Sequence, residues 1–198
     1  IEDPTAYEGP TTAAIGGPSI PPLAQAPEAT LPTTVVSKDQ TGDTEITVKD
    51  TSRVLALSLS GTLGELVYAY GLSDNLVGRD ISTNFAGAED LPIITREGHS
   101  IDAEAVLALN PSLIITDGSI GPTDVVLQLR DAGIPVVTVD RAVDAESSFV
   151  TAQQVADALG VGEAAPELIK GLESAIAAKE AEVQKLLHLM IHSLYSNR

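Results

Sequence analysis

The sequence predicts an α/β fold, a doubly wound parallel sheet with helices on both faces, followed by one long helix. Three observations lead to this prediction. Between residues 44 and 165, short apolar runs alternate with segments of helical spacing. Glycines that end helices separate these segments. After Ala165 a single amphipathic helical pattern continues. Strands that alternate with helices in this way form βαβ units, whose strands are parallel.

The elements can be justified in chain order. Thr44–Val48 alternates like a short strand, and Arg53–Leu59 is a compact apolar run of the buried-strand type. A turn at residues 60–62 leads into a helix that Gly71 closes. The remaining predicted strands cover residues 75–78, 112–116 and 135–139, and the remaining helices cover residues 102–109, 123–132 and 147–159.

Residues 1–43 are predicted to form a disordered, proline-rich stalk. Seven of the 12 prolines fall within the first 32 residues, mixed with Thr, Ala, Gly and Glu. Such a segment has too little bulky apolar surface to offset the entropy of ordering it. It is either a plain flexible terminus or a tether that holds a domain away from a surface. The opening residues Ile1-Glu2-Asp3 do not have the basic and then apolar pattern of a signal peptide.

The last segment, residues 166–198, is predicted to be one helix with an unusual end. Its apolar stripe consists of Leu168, Leu172, Ile176, Val183, Leu187, Met190 and Leu194. Residues 186–194 contain no acidic residue, the only Met and two of the three His. Two interpretations stay open: this helix end packs on a partner surface, or it is sequence foreign to the rest of the chain.

Composition excludes several functions. The 28 acidic residues against 11 Lys and Arg give a net charge of −17, which disfavours nucleic acid as a partner and attachment by charge to anionic membranes. The absence of Cys excludes disulfides, thiolate zinc sites, iron–sulfur clusters and cysteine nucleophiles. No apolar stretch approaches the ~20 residues that cross a bilayer.

Catalytic motifs are also missing, so the sequence does not predict an enzyme. It contains no Walker A motif, no G-x-G-x-x-G and no G-x-S-x-G. The turn at residues 60–64 is a weak signal for an anion site, and a plain turn with Thr62 capping the helix explains it equally well. The acidic pairs Glu89/Asp90 and Asp102/Glu104 are typical of solvated surface charge. A small doubly wound enzyme or signalling domain remains the alternative class.

His99 is the residue most suited to ligand chemistry. It lies in the long loop before the 102–109 helix, and loops at the carboxyl ends of parallel strands commonly bind ligands. A neutral imidazole is a strong iron ligand, and the alternative is an ordinary polar loop residue. Arg79 and Arg96 flank the same loop and can pair with carboxylates. His188 and His192 have a metal-binding spacing but no third ligand.

Four segments resemble a known family. They are Arg53-Val-Leu-Ala-Leu57, Gly61-Thr-Leu-Gly-Glu-Leu-Val-Tyr-Ala-Tyr-Gly71, Asn75-Leu-Val-Gly-Arg79 and Asp102-Ala-Glu-Ala-Val-Leu-Ala-Leu-Asn-Pro-Ser-Leu-Ile-Ile115. In this order they resemble the amino-terminal lobe of the substrate-binding proteins of iron-siderophore, cobalamin and haem ABC importers. The resemblance covers residues 51 to about 185. With a histidine in the pocket loop, the chain is most similar to the actinobacterial haemin-binding lipoproteins of the HmuT type.

The resemblance implies haem (iron protoporphyrin IX) as the ligand, with His99 as an axial iron ligand. A siderophore or cobalamin is the alternative within the same family. Residues 44–165 would be the Rossmann-like amino-terminal lobe of a periplasmic-binding-protein fold, and residue 166 would begin the inter-lobe helix. The second lobe is expected to be absent, because Tyr195 and Arg198 do not match its ligand motif. Glu104 matches the residue that docks on the permease, and the full-length protein would be extracytoplasmic and lipid-anchored.

The residues around His99 suit haem chemically. Arg79 or Arg96 is expected to meet a propionate, and Ile81 and Phe85 are expected to cover a porphyrin face. The net charge does not forbid an anionic ligand, because such a site is local. With one face of the porphyrin open, binding is expected to be weaker than in a two-lobed protein. The half-site also suggests a homodimer in which two chains share one haem through paired His99 residues.

Overall fold

The structure, a computed structural model, describes residues 20–96 and 99–196, with side chains of the last helix described as far as His188. Along the chain, the elements are β1 (Thr33–Asp39), β2 (Gly42–Val48), β3 (Val54–Leu57), α1 (Thr62–Ala69), α2 (Ala103–Ala108), β4 (Leu113–Thr116), α3 (Thr123–Asp131), β5 (Val136–Thr138), α4 (Ala145–Leu159) and α5 (Ala165–Ser196).

A parallel sheet in the order β3-β4-β5 lies at the centre of the fold. Every residue of these three strands is buried, as expected for strands that are covered on both faces. Helices connect the strands, so each crossover has the βαβ form. The predicted α/β class, with a parallel sheet and a long final helix, is confirmed.

The two faces of the sheet carry separate hydrophobic clusters. Leu55 and Leu57 point to one face, where they pack with Val106 of α2 and Leu129 of α3. The alternate residues of β3 point to the other face, towards α1, α4 and the start of α5. This period of two along each strand is what places helices on both sides of the sheet.

The amino-terminal region differs from its prediction. Residues 33–43 were expected to be disordered, yet they form β1 and the turn into β2, an antiparallel hairpin. The hairpin attaches to β5 because the fully buried Ser37 accepts a hydrogen bond from the Thr138 amide at 2.9 Å. Arg130 of α3 also pairs with Asp39. A few polar contacts in protected places therefore order a segment with little apolar surface.

Residues 20–32, which we call the N-terminal arm, are also ordered against the lobe. The Leu23 amide donates to Ala69 O and the Thr30 amide donates to Gly160 O, both at 2.8 Å. Ile20 is buried in the same cluster as α1 and α4. The stalk predicted for residues 1–43 is therefore wrong from residue 20 onward, while its part at residues 1–19 lies outside the described residues.

Smaller differences concern short elements. The strand predicted at residues 75–78 is a single bridge between Val54 and Leu76, preceded by a 3-10 turn at Ser73–Asn75. The Asn75 side chain donates to Thr51 O, which holds this segment beside β3 without a continuous ladder. The helix predicted at residues 102–109 is α2, with Asp102 as its N-cap.

The helix α5 extends beyond the core that it caps. Leu168 is buried at its start, but Val183, Leu186 and Leu187 are 52%, 51% and 45% exposed. Of the apolar stripe predicted for this helix, Leu168 is covered by the core, whereas Val183 and Leu187 are uncovered by the described part of the chain. Within that part, no helix combines the length and the apolar character that crossing a bilayer requires.

Candidate functional site

The candidate site lies at the carboxyl edge of the sheet, where four segments meet. The Leu59 amide, after β3, donates to Ser119 Oγ, after β4, at 2.9 Å. The amide of Ile101 donates to Gly121 O at 2.8 Å, which attaches the loop before α2 to the same edge. Ligands bind at this edge in open parallel sheets because several loops converge there.

His99 begins a short segment that pairs with residues 95–96, and we call residues 95–96 and 99–101 the His99 turn. Its two sides pair through a Thr95–Ile101 bridge and a 2.8 Å hydrogen bond from the Arg96 amide to Ser100 O. His99 has a φ of +60°, a left-handed conformation that costs free energy for a residue with a Cβ. The backbone thus holds the imidazole in a fixed position at the edge of the sheet.

The His99 side chain has the environment of an available ligand. The residue is half-buried, and its Nδ1 is buried without a hydrogen-bond partner among the described residues. Burying a polar nitrogen without a partner costs free energy, so such atoms are informative where they occur. Since Nδ1 is buried, Nε2 is the ring nitrogen that can donate an electron pair to a metal centre.

Arg79 lies in the neighbouring loop and is oriented by that loop. Its Nη1 donates to Thr83 O at 2.9 Å, and its Nε is buried without a partner among the described residues. The residue is half-buried, so the guanidinium is held near the site rather than extended into solvent. Such a guanidinium can meet an anionic group of a ligand.

Arg96 has a different arrangement. Its side chain is 67% exposed, and its Nε and Nη2 donate to Asp102 Oδ2 at 2.8 and 2.7 Å. Asp102 also accepts from the Ala105 amide, so it links the His99 turn to the start of α2. The hydrogen bond from Arg96 lowers the pKa of the Asp102 carboxyl, and the Ala105 amide lowers it further. Arg96 therefore has a partner within the chain, unlike the Arg79 Nε.

The two apolar residues predicted to cover a ligand also differ from each other. Ile81 is 52% exposed, and its amide donates to Thr95 Oγ1 at 3.2 Å, which places it beside the His99 turn. Phe85 is only 5% exposed and packs edge-on against Tyr68, with ring centroids 5.2 Å apart. The structure thus brings Ile81 to the surface of the site and keeps Phe85 beneath it.

Sequence reasoning missed Asp80, the residue that organises this loop. It is fully buried and accepts hydrogen bonds from three backbone amides and one hydroxyl. A signal was present, since Asp followed by Ser and Thr two and three residues later is typical of a turn held by its own carboxylate.

Metal clusters are not found elsewhere in the described part of the chain. No group of three His, Asp or Glu side chains there could hold a metal ion. His188 is exposed on α5, and the side chain of His192 lies outside the described residues. His99 therefore remains the candidate metal ligand among the described residues.

Comparison with known proteins identifies the class. The family model described as "Periplasmic binding protein" matches residues 57–195, so the chain belongs to that family. The matched region contains β4, β5, the last residue of β3 and the candidate site.

Among particular proteins, the chain is similar to the heme binding protein HmuT. The sequences are 32% identical, the match covers 87% of this chain and 53% of that one, and the TM-score is 0.74. The periplasmic heme-binding protein RhuT from Roseiflexus sp. RS-1 is 30% identical over 65% of this chain and 49% of that one, with a TM-score of 0.58.

A curated relative is an uncharacterized ABC transporter substrate-binding lipoprotein, YvrC, from Bacillus subtilis (strain 168). It is 29% identical over 143 residues, or 70% of this chain and 44% of the relative. The chain thus spans about half the length of the proteins it matches. The resemblance to the amino-terminal lobe of such proteins is confirmed.

Proposed function

We propose that this chain is the amino-terminal lobe of the substrate-binding protein of an ABC haem importer, and that His99 ligates the haem iron. The observation that carries the proposal is the position of the His99 imidazole, half-buried at the carboxyl edge of the sheet, where several loops converge. The names of HmuT and RhuT, both heme-binding proteins, support haem as the ligand.

The surroundings of His99 support a planar, anionic, partly apolar ligand. Ile81 offers exposed apolar surface beside the His99 turn. The Arg79 guanidinium is the proposed partner of a propionate, because it forms no salt bridge among the described residues whereas Arg96 is paired with Asp102. Phe85 is buried against Tyr68, so Ile81 is the proposed apolar contact with a porphyrin face.

Titration with haemin, followed by absorbance, tests the proposal. The wild-type chain is expected to give a saturable Soret change, and His99→Ala is expected to weaken binding at least tenfold and shift the band. The matched control is His188→Ala, which removes an exposed imidazole from α5 and should leave the titration unchanged. A Soret band that is identical in His99→Ala would remove His99 from the site.

The same titration separates the family alternatives. If the wild-type chain gives no Soret change, it is titrated with a ferric siderophore and with cobalamin, followed by tryptophan-independent methods such as calorimetry, because the chain has no Trp. Saturable binding of either ligand, without haemin binding, would assign the chain to that ligand class instead.

Glu104 is the proposed contact with the permease of an extracytoplasmic importer. It lies in the first turn of α2, is exposed, and forms no ion pair with other described residues. The test is capture of the haemin-loaded chain by the permease in nanodiscs. Glu104→Ala should weaken capture, whereas Glu146→Ala, an exposed Glu in the first turn of α4, should not. Equal capture of the two variants would contradict this contact.

A second chain is the proposed source of a second iron ligand. Two His99 imidazoles could ligate one iron from opposite faces, and the exposed half of α5 could pack between the two chains. Light scattering after size exclusion, during a haemin titration, should then give a dimer with one haem per two chains. A monomer with one haem per chain would contradict the shared site.

A further inference from the structure

Asp80 is a buried carboxylate to which the proposed ligand chemistry assigns no role. It lies between Arg79 and Ile81, the two residues of this loop that face the proposed ligand. It is fully buried, although aspartate is almost never fully buried unless its oxygens are paired. The hydrogen bonds that its two oxygens accept must therefore compensate for its burial.

Four donors surround the Asp80 carboxylate. Oδ1 accepts from the amides of Ser82 and Thr83, both at 2.8 Å. Oδ2 accepts from the Ser58 amide at 3.0 Å and from Thr83 Oγ1 at 3.2 Å. No salt bridge to Asp80 occurs among the described residues. One side chain thus joins the residue that follows β3 to the loop that carries Arg79 and Ile81.

The loop is also packed tightly against the start of α1. A Cβ on Gly61 would lie 2.4 Å from Ser82 O, and a Cβ on Gly64 would lie 2.6 Å from Thr83 Cγ2. Both approaches are closer than real side chains allow, so the loop can reach this position only over glycines. The conformation of the loop is therefore determined by close packing against the start of α1 and by the hydrogen bonds of the Asp80 carboxylate.

Hydrogen bonds connect this loop to the Arg79 side chain and to the His99 turn. The carbonyl of Thr83 holds the Arg79 guanidinium, and the Ile81 amide donates to Thr95 Oγ1 at the base of the His99 turn. A shift of the loop would therefore move Arg79 and Ile81 relative to His99.

We propose that Asp80 is the positioning residue of the ligand site: its carboxylate holds residues 79–83 against the end of β3, so that Arg79 and Ile81 keep the haem against His99. This inference rests on the proposed function for its ligand. It predicts that Asp80 controls how long haem stays bound and leaves the identity of the iron ligand unchanged.

The substitution Asp80→Asn tests this role with little change of shape. An asparagine can still accept from Ser82 and Thr83 through its oxygen, but its NH₂ then faces the Ser58 amide, a second donor. One buried N–H is left without an acceptor, which weakens the loop's attachment to β3.

The first measurement is amide hydrogen exchange of the chain without ligand. In Asp80→Asn the amides of Ser58, Ser82 and Thr83 are expected to exchange at least tenfold faster than in the wild type. The matched control is Asp50→Asn, because Asp50 accepts from the Ser52 amide in a similar turn at the opposite end of β3. That control should leave the three amides unchanged.

The second measurement is haemin binding by stopped-flow absorbance. Asp80→Asn is expected to release haemin about tenfold faster, as the loss of one buried hydrogen bond in the loop would allow. The Soret position should match the wild type because His99 still ligates. Asp50→Asn should bind as the wild type does.

The outcomes are distinguishable. Wild-type release from Asp80→Asn would overturn the inference, and so would unchanged exchange of the loop amides. If Asp80→Asn does not fold, Thr83→Val decides, because it removes only the hydroxyl donor; about threefold faster release supports the inference and wild-type release overturns it. A wild-type chain that binds no haemin contradicts the proposed function and the ligand part of this inference, while the exchange rates still report whether Asp80 holds the loop.

Discussion

The N-terminal arm and the second half of α5 differ in how their apolar side chains are covered. The arm, residues 20–32, is rich in proline and has no periodic apolar pattern, yet it is bound along α1 and α4. The second half of α5 has a regular apolar stripe, yet Val183, Leu186 and Leu187 are about half exposed. Apolar content alone therefore does not decide which end of the chain is packed.

The difference comes from the surface available to each segment. The arm lies over the glycines that end two helices, Gly71 after α1 and Gly160 after α4. At these positions a Cβ would lie 3.0 Å from Ala26 and 2.8 Å from Leu31, so the arm occupies space that only glycine leaves free. The end of α5 extends past the lobe and meets no such surface among the described residues.

The largest effect is expected from Gly160→Ala. Gly160 has a φ of +75°, and the added Cβ would lie 2.8 Å from both Leu31 Cδ2 and Thr30 O. Left-handed backbone strain and overpacking together should lower the free energy of unfolding by ~2–4 kcal/mol. Urea denaturation followed by circular dichroism measures the loss.

The same substitution in α5 is the control for this prediction. Gly171→Ala adds a Cβ that meets nothing within 4 Å and sits in a helix, so it should stabilise the chain by ~0.5–1 kcal/mol. Equal effects of the two substitutions would mean that the arm is not packed against Gly160 in solution.

The second prediction concerns the hairpin that follows the arm. Ser37→Ala removes the acceptor of the buried Thr138 amide and should cost ~1–3 kcal/mol of unfolding free energy, measured by urea denaturation. Ser174→Ala in α5 also removes a hydroxyl that is hydrogen-bonded to the backbone, but at an exposed position. It should be neutral, since alanine has the higher helix propensity. A neutral Ser37→Ala would contradict the attachment of the hairpin to β5.

The central fold could be predicted from sequence because its signals are local and repeated. Val54–Leu57 and residues 113–115 are continuous apolar runs between polar residues, and the structure places them in parallel strands. The arm could not be predicted in this way, because its order depends on two distant glycines, on single hydrogen bonds and on scattered apolar residues such as Leu23 and Leu31, which leave no periodic pattern.

The candidate site was predictable in part for the same reason. His99 was found because histidine is rare in this chain and lies in the loop at the edge of the sheet. Asp80 is one of 28 acidic residues, so composition could not distinguish it from surface charge. That Arg96 pairs with Asp102 while the Arg79 Nε has no partner among the described residues depends on side-chain geometry that spacing does not encode.

The third prediction compares how pH affects the stability contributed by Asp39 in the hairpin and by Glu182 in α5. Burial tends to raise the pKa of Asp39, but hydrogen bonds from Thr41 and Arg130 outweigh it and hold the pKa below its ordinary value of 3.8. A pKa that is lower in the folded chain contributes stability above about pH 4, and this stability is lost as the pH falls through the folded value.

Asp39→Asn should therefore lower the free energy of unfolding at pH 7 by about 1 kcal/mol, because the pair with Arg130 is only partly shielded. The difference from the wild type should disappear as the pH falls below 4, as measured by urea denaturation across this range. Glu182→Gln, which breaks the exposed pair with Lys179 in α5, should change stability at neither pH. A pH-independent effect of Asp39→Asn would show that the ionised carboxylate is not what attaches the hairpin.

The smallest change in stability is expected in α5 itself. Val183→Ser exchanges two residues of similar helix propensity at a position that is 52% exposed, so the free energy of unfolding should stay within ~0.5 kcal/mol of the wild type. Val155→Ser in α4 makes the same exchange at a fully buried position and should cost ~2 kcal/mol or more. If Val183→Ser costs as much as Val155→Ser, the stripe is covered in solution by a surface outside the described contacts. Sedimentation of both variants then identifies it: a loss of self-association in Val183→Ser assigns that surface to a second copy of the chain.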